Sequence, residues 1–338
     1  MTEPPIPLPK VAFIGTGGTM ASLGSTPLTL MDYGSGPGGI LQASAILARF
    51  PEAHEVATII PVDFKAVASH HITFAEWKAL VLECDRLVAE HPDLAGIVIG
   101  HGTATMEETA YFLSLTLQIA IPVVLVGSQR PASALSADTG LNLVNAIRVA
   151  ACPQSRGLGV LVVLNDEISA AREVTKTSTT RLQTFRTPDF GVLGHADGDA
   201  IAYYRRPLRR TYPGIEFDIR ALDALPRVDI VLSYVGADAT AVRAFVAAGA
   251  KGIVSAGFAP GSPTEGERAA LVEAAAQGIT VVQSTRGGSG RLFKGRRMRE
   301  AGFLIADNLT PQKARILLTL ALTRTTENSE IERMFLEY

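Results

Sequence analysis

Short apolar runs alternate with longer segments of helical spacing in the N-terminal part of the chain. The continuously apolar runs are Val11–Ile14, Val56–Val62, Gly96–Ile99, Val123–Val126 and Leu158–Leu164. The segments with helical spacing between them are Phe74–Glu90, Met106–Leu117 and Asp138–Ala151. Strands that are apolar throughout are typical of a parallel sheet with both faces covered. The alternation therefore predicts a larger N-terminal α/β domain built on a parallel sheet.

A smaller α/β pattern follows a proline-containing stretch. Residues 205–226 include Pro207, Pro213 and Pro226, and we predict a linker there. Beyond it lie apolar runs and two predicted helices, at Val228–Leu232, Gly252–Ser255, Glu265–Ala276, Ile279–Val282 and Pro311–Ala321. We therefore predict an N-terminal domain over 1–204 and a C-terminal α/β domain over 227–338.

Composition narrows the class of protein. The chain has 338 residues, of which 47% are hydrophobic and 19% charged, so it can bury a sizeable core. Lys plus Arg number 31 and Asp plus Glu 33, and this balance argues against nucleic acid as the main partner. The two cysteines, Cys84 and Cys152, suit a reducing cytosol rather than a disulfide scaffold. No signal peptide or membrane-spanning run is visible, so we expect a cytoplasmic protein with no membrane partner.

The first apolar run leads into a glycine turn, Gly15-Thr16-Gly17-Gly18-Thr19. Ligands of open α/β sheets bind where strands end and helices begin, and glycines let the backbone approach them closely. The turn lacks the third glycine of a dinucleotide fingerprint, because position 20 is Met20, and it lacks the lysine of a phosphate loop. The Thr19 hydroxyl therefore either faces a different ligand or only caps a tight turn.

Two further polar segments contain candidate chemistry. After the run Gly96–Ile99 comes His101-Gly102-Thr103-Ala104-Thr105-Met106-Glu107-Glu108-Thr109. The spacing of Thr105 and Glu108 predicts a capping box, which leaves Thr103 in a loop at the carboxyl edge of the sheet. The other segment, Arg172–Thr180, surrounds Lys176 with hydroxyl residues. Such a run is usually a solvated loop, whereas a buried lysine loses its charge readily and can serve as a base.

Together these segments resemble the motifs of the bacterial-type L-asparaginase family. Thr16–Ala21 is similar to the family's T-G-G-T-[IM]-A, His101–Thr109 to H-G-T-D-T-M-E-E-T, and Arg172–Lys176 to R-[DE]-V-T-K. Val126–Pro131 and Leu309–Arg315 are similar to further family segments. The resemblance covers nearly the whole chain in order, and it implies the two-domain asparaginase-like α/β fold.

The resemblance implies that the chain hydrolyses a small amide to acid and ammonia, without metal or cofactor, through an acyl-enzyme. Thr19 is then the expected nucleophile, with Tyr33 as its activating hydroxyl on a lid from about Gly24 to Gly39. Thr103 and Lys176 are the expected second pair, a hydroxyl beside a lysine base. Backbone N–H groups of the turn at Gly102 could bind the oxyanion.

The family forms dimers or dimers of dimers, which implies a homo-oligomer with sites completed across the subunit interface. Ser69 matches a serine that binds the substrate α-carboxylate, and we predict that Gly102 also binds substrate. His70 stands where the family commonly has Gln or Glu, and Ser262 falls near an asparagine that the partner subunit supplies.

One motif position departs from the family. Ala104 replaces an aspartate that holds the substrate's α-ammonium group, and its methyl group cannot balance a charge. The family also takes a glutamate from the partner subunit after the run Ile279–Val282, yet no acidic residue lies between Arg286 and Arg299. A buried ammonium without a counter-charge costs several kcal/mol.

The departures leave three hypotheses open. The sharpest is an amidohydrolase whose substrate lacks the α-ammonium group, such as succinamate or another dicarboxylic monoamide. A second is an ordinary L-asparaginase, of low or normal activity, in which the carboxylate that binds the substrate ammonium comes from another position. A third is a catalytically idle ligand-binding homologue, although a binding module needs no lysine–threonine pair.

Overall fold

The computed structural model describes residues 7–34 and 39–338. The chain forms two compact units, Met1–Ile215 and Glu216–Tyr338, and the division falls within the proline-containing stretch. The predicted class, α/β with a larger N-terminal and a smaller C-terminal sheet, is confirmed by the two sheets described below.

In the described residues, the first unit contains an eight-stranded sheet of order β10-β9-β6-β5-β4-β3-β1-β2. Its strands are β1 (Lys10–Gly15), β2 (Thr58–Asp63), β3 (Leu94–Gly100), β4 (Val123–Val126), β5 (Val160–Leu164), β6 (Glu167–Ala170), β9 (Gly194–Ala196) and β10 (Ile201–Tyr203). A separate hairpin pairs β7 (Thr175–Lys176) with β8 (Phe185–Arg186). The strands β1 to β5 run parallel, as their apolar runs predict.

The parallel prediction is incomplete at one side of the sheet. β6, β9 and β10 extend it antiparallel beyond β5. These strands have three or four residues each, which is too short for an apolar run or an alternation to be recognised in the sequence.

Two layers of helices cover the first sheet. They are α1 (Ala43–Arg49), α2 (Ala53–Val56), α3 (Phe74–Glu90), α4 (Met106–Thr116) and α5 (Thr139–Ala151). Apolar residues of α1, α2 and α5 share one buried cluster with alternate residues of the strands, such as Val11, Phe13 and Val98. The intervening strand residues point to the other face, which α3 and α4 cover. There the Trp77 ring stacks on Phe112 with centroids 4.4 Å apart.

The order of strands creates a crevice at the carboxyl edge of this sheet. From β1 the chain goes to β2 on one side and then to β3 on the other. The order in which strands are added to the sheet therefore reverses between β1 and β3. Ligand sites of open α/β sheets lie at such a switch point, beyond the carboxyl ends of the strands. The residues paired there are Gly15 and Gly100, which immediately precede the two motif turns.

The connection from β4 to β5 has an unusual hand. It runs along the sheet in the direction opposite to the connection from β1 to β2, yet α5 lies on the same face as α1 and α2. Two such connections have opposite hands, so one of them is left-handed, which is rare in parallel sheets. As a result the β4–α5 loop (residues 127–138) turns towards the face where α1 lies, and the Arg49 Nε donates to the Ala132 carbonyl.

The second unit has a parallel four-stranded sheet of order β11-β12-β13-β14. Its elements are β11 (Val228–Leu232), α6 (Thr240–Ala247), β12 (Gly252–Gly257), α7 (Glu265–Ala276), β13 (Thr280–Thr285), α8 (Arg296–Glu300), β14 (Leu304–Ile305), α9 (Pro311–Ala321) and α10 (Asn328–Glu337). Thr264 and Glu267 form a capping box that fixes the start of α7. Among the described residues, none of the helices combines the length and the apolar character needed to cross a membrane.

Gly96 shows how closely α5 packs on the sheet. A Cβ atom at this position of β3 would lie 2.2 Å from the Ala150 carbonyl oxygen, which is backbone and cannot move aside freely. We expect Gly96→Ala to lower the free energy of unfolding by about 3 kcal/mol, because overpacking forces the helix from the sheet. Gly198→Ala is the matched control, since its Cβ would meet open space. Chemical denaturation of both variants tests this, and equal stability would contradict it.

Candidate active site

The first turn, Thr16–Ala21, leaves the sheet at the end of β1 and is fixed to β3. Thr16 donates to the Gly100 carbonyl through both its N–H and its hydroxyl, at 3.0 and 2.8 Å. Gly17 and Gly18 then take φ values of 100° and 81°, which side chains rarely adopt. A Cβ on Gly18 would lie 2.4 Å from Gly102 Cα. The two motif turns are therefore in direct backbone contact.

Thr19 begins a short 3₁₀ helix after these glycines, and its hydroxyl meets a tyrosine. Thr19 Oγ1 and the Tyr33 hydroxyl are 2.9 Å apart. Tyr33 sits between two residues with left-handed backbone, Asp32 at φ 55° and Gly34 at φ 84°. The structure thus brings together the predicted nucleophile and its predicted activating hydroxyl. Gly36 and Gly38 of the predicted lid lie outside the described residues.

The base of this lid is attached to the β4–α5 loop. The Gly24 N–H donates to the Ser133 hydroxyl at 2.8 Å, and the Leu135 N–H donates to the Pro27 carbonyl at 2.8 Å. The Ala132 N–H also donates to the carbonyl of Ser22 at 3.0 Å. These contacts fix the segment that leads to Tyr33.

The second turn, His101–Thr105, holds the other predicted pair. The buried Thr103 accepts a hydrogen bond from Lys176 Nζ at 2.7 Å. Lys176 lies on β7, and its burial lowers the pKa of the ammonium group, an effect that the nearby Glu107 carboxylate opposes. A lysine of lowered pKa beside a hydroxyl can accept a proton, so the pair has the chemistry of a base.

Gln129 is a further neighbour of this lysine, and no motif in the sequence points to its side chain. Its Oε1 accepts from Lys176 Nζ at 3.4 Å. The segment Val126–Pro131 was recognised only as similar to the family, and no local signal relates a glutamine to a lysine so far along the chain.

Ser69, the residue predicted to bind the substrate carboxylate, lies beside the second turn. Ser69 is buried at the start of the 3₁₀ helix Ser69–His71, and a Cβ on Gly102 would lie 2.7 Å from its Oγ. His70 and Ala104 are both exposed. The ring of His70 contacts that of His71 edge-on, with centroids 4.2 Å apart.

The predicted capping box at Thr105 is wrong. Thr105 does occupy the N-cap position of α4, but its side chain caps no backbone N–H. Its hydroxyl instead donates to the Ser69 carbonyl at 2.8 Å. A longer-range acceptor has displaced the local one, and the bond fastens Ser69 to the second turn.

Ser262, the remaining predicted site residue, belongs to the second unit. It is exposed in the turn after β12, where its N–H donates to the Phe258 carbonyl at 2.7 Å. The basic segment 286–299 is partly paired within the same unit: Arg291 binds Asp307 at 2.9 Å and Lys294 binds Glu332 at 2.8 Å. The roles predicted for Ser262, Ser69, His70, Gly102 and Ala104 stay predictions.

His101 is a buried histidine at the start of the second turn. Its Nδ1 lies 2.8 Å from the Gly102 carbonyl oxygen, and burial lowers the pKa of the ring to about 4. The neutral ring donates from Nδ1 and leaves Nε2 unprotonated. Within residues 7–34 and 39–338, no group of three or more His, Cys, Asp and Glu side chains is placed to hold a metal ion.

Two family models match the chain. Residues 10–209 match the model described as "Asparaginase, N-terminal", and residues 227–335 match "Glutaminase/Asparaginase C-terminal domain".

Whole-length relatives agree with the family models. The chain is 39% identical over 331 residues to L-asparaginase 2 of Bacillus subtilis, covering 98% of this chain and 87% of that protein. It is 38% identical over 333 residues to a probable periplasmic L-asparaginase of Haemophilus influenzae, covering 98% and 93%. A crystal structure of a probable cytoplasmic L-asparaginase from Campylobacter jejuni superposes with a TM-score of 0.92 at 36% identity, covering 97% and 99%.

The buried His101 predicts a pH-dependent stability. In the unfolded chain a histidine has a pKa near 6.5, whereas the folded pKa is about 4, so the unfolded state binds more protons between these values. The contribution of the neutral ring to the free energy of unfolding is complete above pH 6.5 and is lost as the pH falls towards 4. Between pH 7 and 4.5 the wild type should lose about 2–3 kcal/mol more unfolding free energy than His101→Gln.

Urea unfolding at several pH values measures this difference, because other groups titrate alike in both proteins. The exposed His54→Gln provides the control and should follow the wild type. Parallel stability curves for wild type and His101→Gln would contradict a buried neutral histidine.

Proposed function

The chain belongs to the asparaginase family of amidohydrolases, and we propose that it hydrolyses a small linear carboxamide to acid and ammonia with Thr19 as nucleophile. The observation on which this rests is the pair of hydroxyl contacts in adjoining turns. Thr19 Oγ1 is 2.9 Å from the Tyr33 hydroxyl, and Lys176 Nζ is 2.7 Å from Thr103 Oγ1. A threonine hydroxyl needs a neighbour that takes its proton, and the threonine of each turn has one: Tyr33 for Thr19 and Lys176 for Thr103.

The proposed reaction has two steps. Thr19 Oγ1 forms a bond to the amide carbon, the carbon–nitrogen bond breaks, and the nitrogen leaves as ammonia with the proton from the threonine. Water then attacks the ester, which releases the acid and returns a proton to Thr19. The Tyr33 hydroxyl activates Thr19 by taking its proton. Lys176 in its neutral form acts as the base at Thr103.

The oxyanion of each tetrahedral intermediate needs fixed donors near the nucleophile. Backbone N–H groups of the second turn are suited to this, because the turn is in van der Waals contact with Gly18 and cannot shift freely. We assign the α-carboxylate of the substrate to Ser69, which lies beside the second turn, with His70 and Gly102 as further substrate-binding residues.

The substrate proposed here lacks the α-ammonium group. Ala104 is exposed and has no charge, and segment 286–299 has no carboxylate before Glu300. An α-ammonium group buried on binding would meet neither of the two carboxylates that the family uses, and a desolvated ammonium without a counter-ion costs several kcal/mol. A des-amino monoamide such as succinamate avoids that cost.

A second candidate is an ordinary L-asparaginase. The similarity to proteins of that name from Bacillus subtilis and Haemophilus influenzae favours it. Both candidates use the same nucleophile, and both call for a homo-oligomer, a dimer or a tetramer, in which Ser262 of one copy completes the site of another.

The substrate proposal is tested by ammonia release from L-asparagine, D-asparagine, L-glutamine and succinamate. We expect kcat/KM for succinamate to exceed that for L-asparagine at least tenfold, which is about 1.4 kcal/mol or more. Thr19→Ala should lose about 10³-fold or more in kcat, whereas Thr58→Ala, on an exposed edge-strand position, should keep the wild-type rate.

The other outcomes point to the alternatives. Efficient L-asparagine turnover with poor succinamate turnover would contradict the altered substrate and support an ordinary L-asparaginase. Tight ligand binding without any turnover, read from ligand-dependent melting temperatures, would instead support a binding homologue.

Ala104→Asp tests the origin of the specificity. A carboxylate at this position should raise kcat/KM for L-asparagine about tenfold or more, because the substrate ammonium gains a counter-charge. It should lower kcat/KM for succinamate through repulsion of the substrate's carboxylate. Ala104→Asn is the control, because asparagine has the shape of aspartate without its charge. An equal effect of both substitutions would contradict an electrostatic cause.

A further inference from the structure

The backbone of Gln129 is held firmly in the β4–α5 loop. The N–H groups of Gln129 and Arg130 donate to the two carboxylate oxygens of Asp138 at 2.9 and 3.0 Å. Asn142 Nδ2 donates to the same carboxylate at 3.1 Å and to the Gly127 carbonyl at 3.0 Å. The side chain of Gln129 therefore leaves a rigid base.

The two ends of the Gln129 amide have different surroundings. Oε1 accepts from Lys176 Nζ, whereas Nε2 is shielded from solvent and has no hydrogen-bond partner among the described residues. The reverse orientation would set an NH₂ group against the lysine donor, so the contact with Lys176 determines which way the amide lies. A buried donor without an acceptor is unfavourable for folding.

We propose that Gln129 is a positioning residue for Lys176, whose amide oxygen holds Nζ in line with Thr103 Oγ1. This rests on the proposed role of Lys176 as base. With Gln129 Oε1 accepting one N–H of Nζ, the ammonium form donates a second to Thr103 Oγ1, and the neutral amine directs its lone pair at the same hydroxyl. The unsatisfied Nε2 is then the cost in stability of keeping Oε1 on the lysine.

The charges around Lys176 make this neutral acceptor important. The carboxylate of Glu107, on α4, is the charged group that acts on the lysine, and it favours the protonated form. Burial acts in the opposite direction and is the larger influence. Thr103 from the second turn and Gln129 from the β4–α5 loop are neutral, and the Gln129 oxygen stabilises the ammonium form by accepting from it.

Two substitutions of Gln129 should shift the pKa of Lys176 in opposite directions. Gln129→Met keeps the length of the side chain and removes the acceptor, so the pKa of Lys176 should fall. Gln129→Glu adds a carboxylate, so the pKa should rise. In each case we expect the neutral fraction at a fixed pH to change about threefold or more, upward for Met and downward for Glu.

The measurement is an NMR titration of ¹³Cε-labelled lysine in the intact Thr19→Ala protein. The chain has seven lysines, Lys10, Lys65, Lys78, Lys176, Lys251, Lys294 and Lys313. Lys176→Met identifies the resonance. Gln283→Met, which removes another buried amide, from β13, should leave the Lys176 titration unchanged. Thermal melts should give Gln129→Met a stability equal to or above that of its parent, because the unsatisfied donor is gone.

A kinetic readout separates positioning from general damage. In the background with Thr19, the acid limb of kcat/KM for the amide that is turned over should move to lower pH in Gln129→Met and to higher pH in Gln129→Glu. Opposite shifts support the proposal. Shifts in the same direction, or a lower rate with an unmoved profile and titration, would overturn it. The NMR titration does not require turnover, so failure of the threonine mechanism would be recognised separately.

Discussion

The contact between two glycine turns is the constraint on which the candidate site depends. Because β1 and β3 are neighbours with Gly15 beside Gly100, the chain leaves both strands at the same point of the sheet edge. Gly18 and Gly102 then approach so closely that neither steric space nor backbone conformation allows a side chain on Gly18. Thr19 and Thr103 each follow one of these glycines. Their proximity is thus set by backbone packing, before any side-chain contact forms.

The unusual hand of a sheet connection supplies the second requirement. Because α5 lies on the face of α1, the β4–α5 loop passes beside the segment that begins at Gly24 instead of turning away from it. One end of this loop contacts Lys176 and its middle holds the segment that leads to Tyr33. The two hydroxyl pairs therefore share a single supporting segment, in addition to the contact between their turns.

Sequence patterns predicted elements best where the local signal and the tertiary structure agree. α3, α7 and α9 have the predicted bounds; capping boxes mark the starts of α3 and α7, and a first-turn proline that of α9. The antiparallel strands were missed because two to four residues show no period. Thr105 was assigned a cap because sequence cannot reveal a competing carbonyl 36 residues away. Motif resemblance suggested which residues form the pairs Thr19–Tyr33 and Thr103–Lys176, but it gave no sign of Gln129, whose partner Lys176 is 47 residues away.

The same loop also limits how this protein can diverge. Loops usually tolerate insertions and deletions better than the elements they connect. Here the N–H groups of Gln129 and Ala132 and that of Leu135 each have a fixed acceptor, on Asp138, Ser22 and Pro27. One added residue would shift the later bonds out of step with the earlier ones. Descendants of this sequence can thus vary the exposed Leu135 side chain, while the number of residues between β4 and α5 is held constant.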